Sequence, residues 1–309
     1  MQQHELLQIA RQKAKENGVN PQVIQQRFFL EELLSMMAFS KLSDKIVLKG
    51  GFLIEKIIGE KHRATQDLDM MFQSFEMSKQ AIKTYFEELL QNSSPNGVIF
   101  QLKDMYAQHG EEGLKVLFRA KFGRMNIDNL AIDLSTNNII HPEATVREFE
   151  KLDGTTYRLL SFPLEQIVAD KLVATLKKGE RNNRDKDYYD LFMFSQLGIS
   201  LNYKDLGKSF YDTLLNEAPN IIVEDMLRKL IVSQERQLSW KNYQTKNPNA
   251  SQIKYEDTIK AIFHFLVQIK AIESKKPKNA FEQRVEVAKQ ETNFNSFSTD
   301  KEHDKGKAK

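Results

Sequence analysis

The sequence predicts an α+β protein, with a mixed β-sheet core and flanking helices in its first half and a C-terminal helical domain in its second. Short apolar runs bounded by turn residues crowd the stretch from Ile46 to Leu160, as strands do. From Pro163 onward the apolar residues instead recur at helical spacing. The end, Ser274 to Lys309, is polar, mixed in charge and nearly free of large aliphatics. The expected organisation is therefore 1–160 for N-terminal helices and sheet, 161–273 for the helical domain, and 274–309 for a disordered tail.

The first forty residues read as helical. Asn20-Pro21 opens a run in which Val23, Ile24, Phe28, Leu30, Leu33, Leu34, Met37 and Ala38 share helical spacing, with proline in the first turn, where it is tolerated. Ile46-Val47-Leu48 is a short strand ending in Gly50-Gly51, and Phe52 to Ile58 a helix closed by Gly59. Leu68, Met70, Met71 and Phe72 make a second strand. Met77 to Leu90 reads as a helix stopped by the turn cluster Asn92-Ser93-Ser94-Pro95-Asn96-Gly97. Strands then follow at Val98-Ile99-Phe100 and at Leu114, Val116, Phe118 and Ala120, which alternate with Lys115, Arg119 and Lys121. Further strands are expected at Leu130–Leu134 and Tyr157–Leu160, and helices near 163–178, 184–196, 203–215, 221–236 and 252–272. No internal repeat or heptad array is visible.

The chemistry concentrates in Leu48-Lys49-Gly50-Gly51 and Arg63-Ala64-Thr65-Gln66-Asp67-Leu68-Asp69. Residues i and i+2 of a strand share a face, so Asp67 and Asp69 present two carboxylates side by side. Such a pair repels itself unless a cation intervenes, and hard oxygen ligands suit Mg²⁺ together with substrate phosphates. The glycine pair lets backbone approach phosphates closely at the start of the next helix. Either half alone reads better as a tight turn or a solvated acidic strand end. Their order and spacing point to a metal–nucleotide site.

Asp133 stands alone among apolar residues in Ala131-Ile132-Asp133-Leu134. A carboxylate there is costly unless paired, hydrogen-bonded or on a metal. If its strand neighbours the Asp-x-Asp strand, it joins Asp67 and Asp69 as a third acid; otherwise it caps the turn Ser135–Asn138. Lys171 sits beside the apolar stripe Leu164, Ile167, Val168, Leu172 and Leu176. It either snorkels to solvent or aims its ammonium into a cleft as a phosphate ligand. Arg184, Lys186, Asp187 and Asp190 open the next helix, with an ion-pair network between the two helices as their ordinary role. For Asp187 function and structure weigh equally; for Asp190 structure is favoured.

Composition narrows the class. The chain has 309 residues, 40% of them hydrophobic, enough for one substantial core or two modest ones. Zero cysteines exclude disulfides and thiolate metal sites, and no apolar stretch reaches the length of a membrane span, so a cytoplasmic protein with no membrane partner is expected. A net charge of +3 does not by itself argue for nucleic acid, but Lys171, Lys177, Lys178, Arg181, Arg184 and Lys186 form a local basic cluster.

In this order the motifs resemble the nucleotidyltransferase AbiEii/AbiGii toxin family, a branch of the polymerase-β-like nucleotidyltransferase superfamily. The matching segments are Leu48-Lys49-Gly50-Gly51, Arg63-x-Thr65-x-Asp67-Leu68-Asp69, Ile132-Asp133-Leu134, Leu164 to Leu172, and Arg184-x-Lys186-Asp187-Tyr188-Tyr189-Asp190-Leu191. The resemblance implies a nucleotidyltransferase-type sheet and a C-terminal helical region. It implies an NTP substrate and Mg²⁺ held by Asp67, Asp69 and Asp133. Lys49, Gly50, Gly51, Arg63, Thr65 and Lys171 would bind the nucleotide, with Lys171 and Asp187 completing the catalytic set. It further implies a toxin beside a cognate antitoxin in a type IV toxin–antitoxin or phage-exclusion system, and some members modify tRNA acceptor ends. Many relatives place Thr or Ser after the glycine pair; Phe52 here leaves only a backbone contact with phosphate at that position. Two other readings are a non-catalytic nucleotide- or partner-binding module and a transferase with a protein or small-molecule acceptor. Intact Asp67, Asp69 and Asp133 weigh against the first.

Overall fold

The computed structural model of the chain describes residues 1–63, 65, 68–75, 78–107, 113–135 and 140–272. It divides into two compact units, Met1–Ile167 and a second beginning at Val168. The expected tail lies outside the described residues, as does Asp67.

In the first unit, α1 (Gln3–Asn17) ends at Gly18, whose φ of 65° closes the helix in the left-handed region. α2 (Pro21–Ala38) begins as its sequence dictates, with Pro21 in the first turn and the Asn20 side chain accepting the Gln22 N–H at 2.9 Å. Unlike an amphipathic surface helix it is buried nearly all round, burying Phe28, Phe29, Leu33 and Leu34 but also Arg27, Glu31 and Glu32. The charged members are paired: Glu31 with Lys56 at 2.7 Å, and Glu32 with Lys151 at 2.8 Å.

The sheet elements follow: β1 (Ile46–Lys49), α3 (Gly50–Ile58), β2 (Leu68–Phe72), α4 (Lys79–Leu89), β3 (Ile99–Ala107), β4 (Gly113–Phe122), β5 (Met125–Ser135), β6 (Thr145–Glu150) and β7 (Thr156–Ser161). Among the described residues the seven strands form one mixed sheet in the order β3-β4-β5-β2-β1-β7-β6. β1 runs antiparallel to β2 and parallel to β7, while β2 runs parallel to β5. Leu114, Val116, Phe118 and Ala120 are buried, as their alternation predicts. β6 is absent from the sequence expectation because Thr-Val-Arg-Glu-Phe-Glu offers one buried residue, Phe149, and lies at the sheet edge.

The second unit is helical. α5 (Leu164–Lys178) starts in the first unit and continues into the second, followed by α6 (Asp185–Gln196), α7 (Tyr203–Glu217), α8 (Val223–Val232), α9 (Gln234–Lys246) and α10 (Tyr255–Gln268). The helix expected near 221–236 is two helices. Ser233 ends α8, and its hydroxyl accepts the Arg236 N–H at 3.2 Å to cap α9. α9 itself is too polar to show a helical stripe, and it is anchored by buried Trp240 and Arg236. The Arg236 guanidinium bonds the Asn182 carbonyl and the Asp185 carboxylate and lies 4.7 Å over the Tyr188 ring.

Candidate active site

Strand register gathers the motif residues. Lys49 on β1 pairs with Asp69 on β2, Asp69 with Asp133 on β5, and Asp133 with Lys115 on β4. Paired residues point to the same face of a sheet, so four charged side chains cross it in one row, in the order Lys49, Asp69, Asp133 and Lys115. The two acids are neighbours on parallel strands, and Asp133 is held by Lys115 at 2.9 and 3.1 Å through its two oxygens. Among the described residues Asp133 is thus paired with a cation across the sheet; the turn it would otherwise cap lies largely outside the described residues. Lys115 was invisible in this role from sequence alone: alternation placed it on a face, and only the register brings it to Asp133.

The glycine pair stands against Asp69. Gly50 has φ of 67°, and a Cβ there would overlap the Asp69 carboxylate. The position therefore demands glycine both for its backbone angle and for space. The Gly51 N–H, at the start of α3, donates to Asp69 Oδ2 at 3.3 Å. The sequence reading has the helix N–H groups available to phosphate; here one of them meets the carboxylate. A Cβ on Gly51 would lie 2.8 Å from Thr65 Oγ1 and 3.4 Å from an Arg63 guanidinium nitrogen, so both side chains of the Arg-x-Thr segment reach the turn. Lys49 lies with its ammonium 5.8 Å over the Phe162 ring. Phe52, in place of a hydroxyl residue, is a core side chain.

Lys171, Asp187 and Asp190 come together in the second unit. Lys171 is buried, and its ammonium lies 2.7 Å from Asp187 and 2.8 Å from Asp190. It does not snorkel. Arg184 adds a bond to Asp187 at 3.1 Å. Burial alone would raise the Asp187 carboxyl, but the charges of Lys171 and Arg184 outweigh it and hold the group below its ordinary value. The expected ion-pair network between the two helices is present in this triad. Of the basic cluster, Lys177, Lys178, Arg181, Arg184 and Lys186 are exposed.

The oxygen donors Asp69 and Asp133 suit a hard divalent cation. No group of three His, Cys, Asp or Glu side chains with metal-binding geometry occurs among the described residues, which exclude Asp67. No described helix is long and apolar enough to cross a membrane.

A mixed sheet bearing adjacent carboxylates beside a glycine-led helix has the character of a nucleotidyltransferase core. Residues 32–285 match the model of the nucleotidyl transferase AbiEii toxins of type IV toxin–antitoxin systems, and the chain belongs to that family. It is accordingly a nucleotidyltransferase and the toxin of such a system, which implies an antitoxin as its counterpart. Among solved structures it is similar to JHP933 from Helicobacter pylori, with 13% identity over 90% of this chain and 99% of that one and a TM-score of 0.47. It is also similar to a candidate nucleotidyltransferase from H. pylori, with 15% identity over 82% of this chain and 95% of that one and a TM-score of 0.45. No curated protein matches it.

Proposed function

We propose that the protein is a Mg²⁺-dependent nucleotidyltransferase that moves a nucleotide from NTP to RNA, with tRNA as the favoured acceptor, and that it acts in the cytoplasm in abortive infection by phage. The observation that carries this reading is the pairing of Asp69 with Asp133 on adjacent strands, against the Gly50-Gly51 turn. Asp69 and Asp133, with Asp67 preceding on the same segment, would hold the metal. Mg²⁺ when bound supplies positive charge to the triphosphate and acidifies the attacking hydroxyl.

The chain's own residues do the rest. An acceptor hydroxyl oxygen bonds to the α-phosphorus as the bond to the pyrophosphate oxygen breaks. The hydroxyl proton leaves to a carboxylate or to solvent, and pyrophosphate carries away the displaced electron pair. Lys49 and Arg63, close to the turn, would meet triphosphate oxygens, and Thr65 would offer a hydroxyl beside Gly51. Lys171 is shared by two carboxylates, so in this reading it and Asp187 fix α5 to α6 and act on the nucleotide only through that structure. Exposed Lys178 and Arg181 supply a basic surface suited to an RNA backbone.

The test is incubation of the purified protein with each α-labelled NTP, Mg²⁺ and total RNA, with RNA and protein label separated on a gel. Label in the tRNA band that disappears with EDTA is the expected result. Label confined to protein or to a small molecule overturns the RNA acceptor, and transfer undiminished by EDTA overturns the metal.

A further inference from the structure

We infer that Glu55 is a positioning residue for nucleotidyl transfer: locked by Arg27, its buried carboxylate holds the backbone of Thr65 and so sets the Arg-x-Thr segment against the Gly50-Gly51 turn. The inference rests on the catalytic reading above, since Glu55 acts through that turn.

Glu55 is the fully buried acid of α3, among Phe52, Leu53, Ile54 and Ile58. Its Oε2 accepts the Thr65 N–H at 2.8 Å. Its Oε1 is ion-paired with Arg27 of α2, itself 2% exposed. The same guanidinium reaches Glu60 at 2.6 Å, just beyond Gly59, where α3 ends. Arg27 thus grips both the middle of α3 and the first residues of the connection that carries Arg63 and Thr65. That connection returns to the other end of the same helix, where Thr65 Oγ1 would stand 2.8 Å from a Cβ on Gly51. Helix start, helix middle and returning segment are tied into one closed unit, with Asp69 a few residues further along.

A plain core ion pair needs no third partner. Two apolar side chains of similar volume would fill the space with equal or better stability, but they offer the Thr65 N–H no acceptor, and a buried donor left unmade is costly. The carboxylate is the group that satisfies both the guanidinium and the amide. Its charge fixes its rotamer through Arg27, and its second oxygen passes that fixity to Thr65.

The test uses the full chain with two double variants, because a single substitution leaves a buried charge without its counterion. Glu55→Met/Arg27→Met removes charge and acceptor together. Glu55→Gln/Arg27→Met removes the charges but keeps an amide oxygen for Thr65. Melting temperature, exchange of the Thr65 amide and steady-state transfer are measured for each. The Met/Met variant is expected to fold but to melt somewhat below wild type, to exchange its Thr65 amide faster, and to lose about 10- to 100-fold in kcat/KM for NTP, as positioning partners of functional groups do. The Gln variant is expected to recover slow exchange and most of the transfer. A Met/Met variant with unchanged Thr65 exchange, or with transfer within about threefold of wild type, overturns the role. A Gln variant no better than Met/Met in both readouts, or one that fails to fold, overturns it as well. Should wild type transfer no nucleotide at all, the catalytic reading fails by itself, and the exchange measurement still decides whether Glu55 holds Thr65.

Discussion

The sheet and the α5–α6 pair each set two carboxylates beside lysine, under opposite conditions: Asp69 and Asp133 lie in a row between Lys49 and Lys115, whereas Asp187 and Asp190 share Lys171. In the sheet, Lys115 and Asp133 keep side-chain exposures of 28% and 23%, and Asp69 beside them is half-buried. Between the helices, Lys171, Asp187 and Asp190 keep 11%, 1% and 0%. A sealed cluster has given up water and can recover the loss only from its own members and the cations at its edge, here Lys171 with Arg184. A row open to solvent can remain partly unbalanced and exchange one partner for an incoming ion. Burial, more than the inventory of charges, distinguishes the two clusters, and under the proposed function it is the exposed row that meets the nucleotide.

The comparison breaks first at Asp69. Asp69→Ala should lower nucleotide transfer by about 10²- to 10³-fold, as loss of a preorganised electrostatic group does. Its melting temperature should equal or exceed wild type, because like-charge sites destabilise the fold that carries them. Retained transfer together with a lowered melting temperature would make Asp69 a cap for α3 and nothing more. Lys171→Ala should behave in the reverse sense. It leaves two buried carboxylates without their shared cation and should cost about 3–5 kcal/mol of stability, read by urea unfolding. A stable Lys171→Ala protein with transfer abolished would move the triad into the catalytic machinery.

Acid sharpens the same contrast. The folded-state pKa of Asp187 lies below its ordinary value of 3.8, so its contribution is fully present above that value and is lost as pH falls through the lower, folded one. Stability measured from pH 5 downward should therefore decline more steeply in wild type than in Asp187→Asn, which lacks this proton uptake on unfolding. Equal slopes would mean that the pair does not hold the carboxylate charged. The smallest effect is expected at Arg119→Ala. It removes an ion pair with Asp128 whose members are both more than half exposed, and should change stability by under about 1 kcal/mol and transfer not at all.

Much of this was legible before any coordinates. The glycine pair, the Asp-x-Asp segment and Asp133 are each conspicuous because a residue of the wrong polarity interrupts an apolar run. What periodicity does not reveal is what stands opposite. Helical spacing put Lys171 beside a buried stripe but could not show what its ammonium meets; the packing of α6 sets Asp187 and Asp190 against it and keeps it from snorkelling. Arg27 and Glu55 draw no notice in the sequence, because each is explained only by the other across more than twenty residues of chain. β6 escaped for another reason, since an edge strand with one buried side chain carries almost no pattern. Asp67 lies outside the described residues, and its place beside Asp69 rests on strand periodicity alone.

Gly50 has a consequence for how this gene escapes its own toxicity. Every replacement of glycine adds at least a Cβ, and at Gly50 that atom meets the Asp69 carboxylate while the backbone sits where side chains are unwelcome. A change in either of the first two bases of its codon therefore disturbs the turn against Asp69, whichever amino acid results, and under the proposed function disables transfer. When cells must silence the toxin to survive, inactivating point mutations that spare full-length protein should accumulate at this codon. At an exposed position such as Arg119, most of the same base changes would leave a working toxin and so go unseen among survivors.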